Sequence, residues 1–456
     1  MSFEDKKNLL KIPAFQKISG SVSISGAKNS ALPIIAATIL TDEEVILRNV
    51  PDLIDINVML DILNDLGSKN YFDKKNNTVI IYKKSIHDIN PLNIDKEKAC
   101  KIRASSVFMG PLLLRKSFCI VFDDGGGCKI GKRLLDLHIK FLKSLGAYEF
   151  FDYNLDSLFL KARHESLFGN KYDIDFKHRV SVGATQNIIM AATLAKSTTI
   201  IRNAASEPEI IDLCNFLRTM GAKIYGDGTK NITIEGTDIL HGCEYEVMSD
   251  RIETGSFLIA SLMNRAEVLI ENTPNTKDLK YFLDVLKKTG AEFNLIKQNN
   301  KNSILVKKRE ARPKAVSIET APHPFFPTDL AQVYSSYMSI SDSTSVVREN
   351  LFESRFDSTI ELKEKMGANI KVCSRSPNLI RIYGVKNLSI NHSQENPMKC
   401  HNLRGGMSLL CSGLTSEIDS NSQNKDIYLK DFEFIKRGYE NFIEKFNNLG
   451  LKIEIV

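Results

Sequence analysis

The chain has 456 residues, 43% of them hydrophobic and 25% charged, and a formal net charge of +6. That length exceeds one ordinary hydrophobic core and predicts two domains of a soluble globular protein. No apolar run is long enough to span a bilayer, and no dense Lys/Arg block marks a nucleic-acid-binding arm.

The opening MSFEDKKNLLKIP lacks the apolar core of a secretory signal, so a cytoplasmic location is expected. From there one pattern recurs six times. A helix led by small or charged residues is followed, in most copies, by a β-branched strand. A second helix then ends at a glycine and runs into a short strand. The leading helices are GAKNSALPIIAATIL from Gly26, RASSVFMGPLLL from Arg103 and GATQNIIMAATLA from Gly183. RIETGSFLIASLM from Arg251, PTDLAQVYSSYMS from Pro327 and LRGGMSLLCSGL from Leu403 complete the set. EEVILRN, STTIIRN and AEVLIEN are the clearest of the strands.

The closing glycines are Gly67, Gly146, Gly221, Gly290, Gly367 and Gly450. They recur at intervals of roughly 70 to 80 residues, too long for a solenoid and right for a small α/β module. Each is predicted to take a left-handed backbone just past its helix, where a Cβ is a penalty. Six modules in a two-domain chain predict three per domain, each of two helices and a small sheet. Small residues at the leading helix starts would ease close packing. They would also leave N–H groups to meet anions, so that several such starts together make an anion-attracting site without a basic protein.

The eight cysteines are at 100, 119, 128, 214, 243, 373, 400 and 411. None is spaced as CxxC and no Cys/His cluster has zinc spacing. Cys119 and Cys214 sit in apolar contexts that suit buried small hydrophobes. Cys128 follows Gly125, Gly126 and Gly127 and precedes Lys129, Lys132 and Arg133. Cations on a glycine-rich loop lower a thiol pKa and leave the sulfur accessible, so Cys128 is the candidate reactive cysteine.

Seven segments occur in register: SGAKNSALPIIAATIL, GGGCKIGKRLLDLHI, SVGATQNIIMAATLA, NAASEPEIIDL, DRIETGSFLIAS, PHPFFPTDLAQ and KRGYE. Together they resemble the enolpyruvyl transferases that act on UDP-N-acetylglucosamine, over about Phe15 to Val456. The resemblance implies two inside-out α/β, barrel-like domains, each of three repeats, with ligands in the interdomain cleft. The implied domains are 1–27 plus 250–456, and 28–249, the latter carrying the Cys128 loop.

The reaction implied is addition–elimination. The sugar 3′-hydroxyl attacks C2 of phosphoenolpyruvate while C3 takes a proton, and loss of phosphate and of a C3 proton gives the enolpyruvyl ether. It would be the first committed step of peptidoglycan precursor synthesis, with links to cell shape and division, and would need no metal or organic cofactor. Neither a nucleic acid, a membrane nor an obligatory protein partner is expected. Lys28, with Asn29 beside it, matches the phosphoenolpyruvate-binding lysine, and Arg133 and Arg437 match arginines holding the same ligand. Cys128 matches the loop cysteine that protonates C3 and also forms a covalent adduct with phosphoenolpyruvate. Asp329 matches the aspartate usually taken as base for the sugar hydroxyl; on sequence alone it is equally a helix cap.

For the nucleotide sugar the matching positions are Arg103, Arg133, Asp136, His138, Arg179, Ser181, Val182, Gly183 and Asp329. Arg179 stands where many relatives have lysine, and on spacing alone His138 reads as a packed or surface histidine. Arg355 and Arg404 match further arginines of the cleft. Glu207 and Glu209 match an acidic pair with a structural or gating role. Three positions depart from the pattern: Asn402 and Lys436 replace aspartates, and Leu134 replaces a loop proline. Two other outcomes therefore stand beside the first. One is the sister enzyme acting on shikimate 3-phosphate, disfavoured by the Lys28–Asn29 pair and Cys128. The other is a degenerate homologue that binds nucleotide sugar with little turnover.

Overall fold

The structure, a computed structural model, describes residues 8–14, 16–122, 135–163, 173–175, 179–298, 301–415 and 426–456. These fall into two compact units. The first unit takes the chain up to Ser25 together with Ser249–Val456; the second takes the described residues from Gly26 to Met248.

Each unit holds three separate small sheets, and no ladder among the described strands joins them into a closed barrel. In the second unit one sheet runs in the order Glu244–Glu246, Val45–Arg48, Thr78–Ile81, Asn70–Asp73. Its inner pairs are antiparallel, and Glu244–Glu246 lies parallel to Val45–Arg48 at the edge. The first unit repeats this plan with Gly20–Ser23 parallel to Val268–Thr273. The strand that feeds each crossing is therefore stitched into the unit it is leaving. At the crossing, Ala27 N–H donates to Met248 O (2.7 Å) and Asp250 N–H donates to Ser25 O (2.9 Å).

The leading helices are the buried ones, which is unusual for small α/β modules, where sheets are normally covered by helices. Arg251–Asn264 and Leu403–Gly413 are buried along their whole length, and Thr328–Met338 is buried from Leu330 onward. The three pack on one another in the first unit. Such a helix needs small residues where backbones meet. A Cβ on Gly255 would lie 2.6 Å from Leu330 Cδ1. In the second unit Lys28–Ala37, Met109–Lys116 and Val182–Ala192 are buried over most of their length. There a Cβ on Gly110 would lie 2.3 Å from Asn187 O.

All six closing glycines take positive φ, from +67° at Gly367 to +107° at Gly221. The stretch from Arg103 departs from the expected single helix. Arg103–Phe108 is a 3-10 segment and the α-helix is Met109–Lys116. Pro111 has no N–H to give the carbonyl of Val107, which removes the bond that would carry the α-helix back through that turn.

Candidate active site

Asp329 is the second residue of helix Thr328–Met338. Its carboxylate does not cap the helix, correcting the capping alternative: Pro327 is the cap residue and no side chain caps it. Instead the carboxylate is held by two guanidinium groups. Arg404 donates from Nε (3.2 Å) and Nη2 (2.9 Å) to Oδ2, and Arg355 Nη2 donates to Oδ1. Both arginine side chains are 3% exposed, against 26% for Asp329. Burying a guanidinium is tolerated only when it is paired and its donors are directed. Burial opposes the charge on Arg404, but Asp329, Tyr439 and Asp250 more than offset it and raise its pKa.

Arg404 is the second residue of its helix, and Asn402 is the helix cap. Asn402 Oδ1 accepts from Gly405 N–H (2.9 Å) and from Gln332 Nε2 (3.0 Å). Gln332 lies one turn beyond Asp329 on the neighbouring helix, so these bonds tie the two helix starts together. Arg437 follows the short helix Glu433–Lys436 and is half-buried, while Lys436 turns back to Glu433 (3.0 Å). Arg355, Arg404 and Asp329 are thus brought into direct contact.

In the second unit Lys28 opens its helix after Ala27, which offers no side-chain cap. Its Nζ pairs with Asp55 Oδ2 at 3.1 Å, and both side chains are about nine-tenths buried. Asn29 is half-buried at the next position.

A second cluster forms around His138. Gly110 N–H donates to Asn187 Oδ1 (2.7 Å), which fixes the amide so that Nδ2 donates to Ser106 O (2.9 Å) and meets His138 Nδ1 (2.8 Å). Burial, together with Arg103 and with Arg179, outweighs Asp136 and pushes the His138 pKa down to about 3. The ring is therefore neutral, accepts at Nδ1 and carries its proton on Nε2. That edge faces Gly183, where a Cβ would lie 2.9 Å from Cε1 and 3.1 Å from Nε2. Ser181 caps the helix of Val182 and Gly183, its Oγ accepting from Ala184 N–H (3.3 Å). Asp136 and Arg179 form an ion pair at the surface. The set Arg103, Asp136, His138, Arg179, Ser181, Val182 and Gly183 thus collects in one neighbourhood. Cys128, Arg133 and Leu134 lie outside the described residues.

The sequence reading missed Asn187, Gln332 and Tyr439. Asn187 and Gln332 carried a signal, each a polar residue one turn along a buried helix from a singled-out position. Tyr439 lay within KRGYE without distinction. Glu209 is buried beside Asp212 on helix Pro208–Thr219, for which Glu207 is the cap residue.

The sequence profile of the EPSP synthase (3-phosphoshikimate 1-carboxyvinyltransferase) family matches residues 12–446. The chain belongs to this family. Among its relatives, UDP-N-acetylglucosamine 1-carboxyvinyltransferase of Buchnera aphidicola subsp. Schizaphis graminum is 40% identical, covering 98% of this chain and all of that one. UDP-N-acetylglucosamine 1-carboxyvinyltransferase 1 of Caldanaerobacter subterraneus is 39% identical over 96% of each. The enolpyruvyl transferase NikO of Streptomyces tendae superposes with a TM-score of 0.82 at 18% identity over 99% of both chains. EPSP synthase of Acinetobacter baumannii gives 0.69 at 17% over 98% of this chain and 100% of that one. The fold is that of the enolpyruvyl transferases.

Proposed function

We propose that this protein transfers the enolpyruvyl group of phosphoenolpyruvate to the 3′-hydroxyl of UDP-N-acetylglucosamine with release of phosphate. Identity of 40% along the whole chain with a UDP-N-acetylglucosamine 1-carboxyvinyltransferase carries the assignment. Asp329 takes the proton of the sugar hydroxyl as that oxygen bonds to C2 of phosphoenolpyruvate. Two guanidinium groups anchor its orientation while the side chain stays 26% exposed. C3 takes a proton from Cys128 to become a methyl group. Phosphate then leaves C2 as one methyl proton passes back to the Cys128 thiolate, which restores the double bond.

Lys28, Arg133 and Arg437 are the cations assigned to the phosphate and carboxylate of phosphoenolpyruvate, and Asn29 is assigned to the same ligand. The neighbourhood of His138 and Gly183 supplies directed donors and a backbone that approaches closely, which suits a nucleotide sugar. Neutral His138 offers Nε2–H there without adding charge. No described helix is long and apolar enough to cross a membrane. A cytoplasmic site of action goes with this function.

Phosphate release from phosphoenolpyruvate tests the assignment, with UDP-N-acetylglucosamine and shikimate 3-phosphate offered in turn. Release with the nucleotide sugar alone is expected. Release only with shikimate 3-phosphate would move the protein to the sister activity, and release with neither would mean a binding protein.

A further inference from the structure

Tyr439 lies under the Arg404 guanidinium that holds Asp329. Arg404 Cζ sits 5.2 Å from the centre of the Tyr439 ring. The ring is 1% exposed, so the cation meets its π face away from water, where such a contact is strongest. The phenol is itself anchored. Its oxygen lies 2.8 Å from Ser256 Oγ, and the Ser256 hydroxyl hydrogen is already given to Ile252 O at 2.9 Å. Tyr439 is therefore the donor in that pair.

Burial pushes the Tyr439 pKa up to about 12, so the donor proton stays in place. The preceding residue seats the ring: a Cβ on Gly438 would lie 2.7 Å from Leu403 Cδ2, and only glycine lets this turn rest on the helix start that carries Arg404. One contact chain thus runs from helix Arg251–Asn264 through Ser256 and Tyr439 to Arg404 and Asp329.

We propose that Tyr439 is a positioning residue for the reaction: its ring fixes the plane of the Arg404 guanidinium, and through it the carboxylate of Asp329. This rests on Asp329 acting as base. The test compares kcat and KM for Tyr439→Phe, Tyr439→Leu and Arg404→Lys and for the two double variants, with Asp329→Ala alongside. Tyr439→Phe keeps the π face and should retain at least about a third of kcat, whereas Tyr439→Leu should lose about tenfold or more with little change in KM. In the Arg404→Lys background, which cannot form the planar fork, Tyr439→Leu should cost less than about threefold further.

Should the leucine variant not fold, Tyr439→Met takes its place, filling the volume without a π face. Equal losses for Phe and Leu, or a full additional loss in the lysine background, would overturn the positioning role. Asp329→Ala that keeps near-normal kcat would instead overturn Asp329 as base.

Discussion

At the scale of single residues, the chemistry depends on how charges are paired. Asp329 is joined to residues 26 and 75 positions away in the chain. The motif PHPFFPTD made Asp329 legible as a candidate, but its partners were legible only as separate arginines. No spacing rule connects side chains that meet through tertiary packing, and the capping alternative failed for the same reason. Asn402 shows the converse. Its oxygen takes the two bonds an aspartate oxygen would take, so the replacement preserves the helix cap, removes a charge near Arg404 and leaves Nδ2 buried without a hydrogen-bond partner among the described residues.

Burial pushes the thiols of Cys119, Cys214, Cys400 and Cys411 up, and that of Cys243 up to about 11, which leaves little thiolate on any of them. An epoxide that mimics phosphoenolpyruvate should alkylate Cys128 selectively, with the part-buried Cys100 and Cys373 as the comparison thiols, read by peptide mass spectrometry. Labelling spread evenly over the eight cysteines would remove the basis for Cys128 as proton donor.

At the scale of elements, glycines do two different jobs that substitution separates. Gly221 ends its helix at φ +107° with its nearest neighbour atom 3.9 Å from a built Cβ, so alanine there meets strain but no collision. The expected cost is about 1 kcal/mol. Gly255 has ordinary backbone but would drive a Cβ into Leu330 and Phe282, both fully buried. There the expected cost is about 1–3 kcal/mol, from overpacking. Thermal unfolding should place Gly255→Ala below Gly221→Ala, and a Gly255→Ala midpoint equal to the parent would contradict the tight helix approach.

The six helix–glycine endings were legible because one local rule, a left-handed residue after the last turn, writes them. The 3-10 stretch from Arg103 was not, because the apolar pattern of RASSVFMGPLLL outweighed the single proline within it. Asn187 escaped notice because an asparagine inside a buried helix has meaning only through partners some 49 to 81 residues away.

At the scale of the whole molecule, the chain repeats one module three times in each unit and turns it so that helices are buried among sheets. Six leading helix starts result, and they are not equivalent. Ser181, Asp250 and Asn402 cap theirs with their own side chains, while those at Lys28, Arg103 and Thr328 have none. Half of the helix starts thus spend an N–H on a side chain of the protein, and the other three open on residues singled out for ligands or on the neighbour of Asp329. Repetition was legible from spacing alone; the division among the starts was not, since it turns on which side chain reaches which N–H.

Enolpyruvyl transfer to the nucleotide sugar is expected to pass through an intermediate in which C3 is a methyl group. The mass spectrum of the nucleotide recovered after reaction with phosphoenolpyruvate in deuterium oxide tests this most directly. The expected product is UDP-N-acetylglucosamine heavier by one enolpyruvyl group, with deuterium at C3 because a methyl group that gained one solvent proton loses one of three. Nucleotide recovered unchanged, or an enolpyruvyl product free of deuterium, would contradict it.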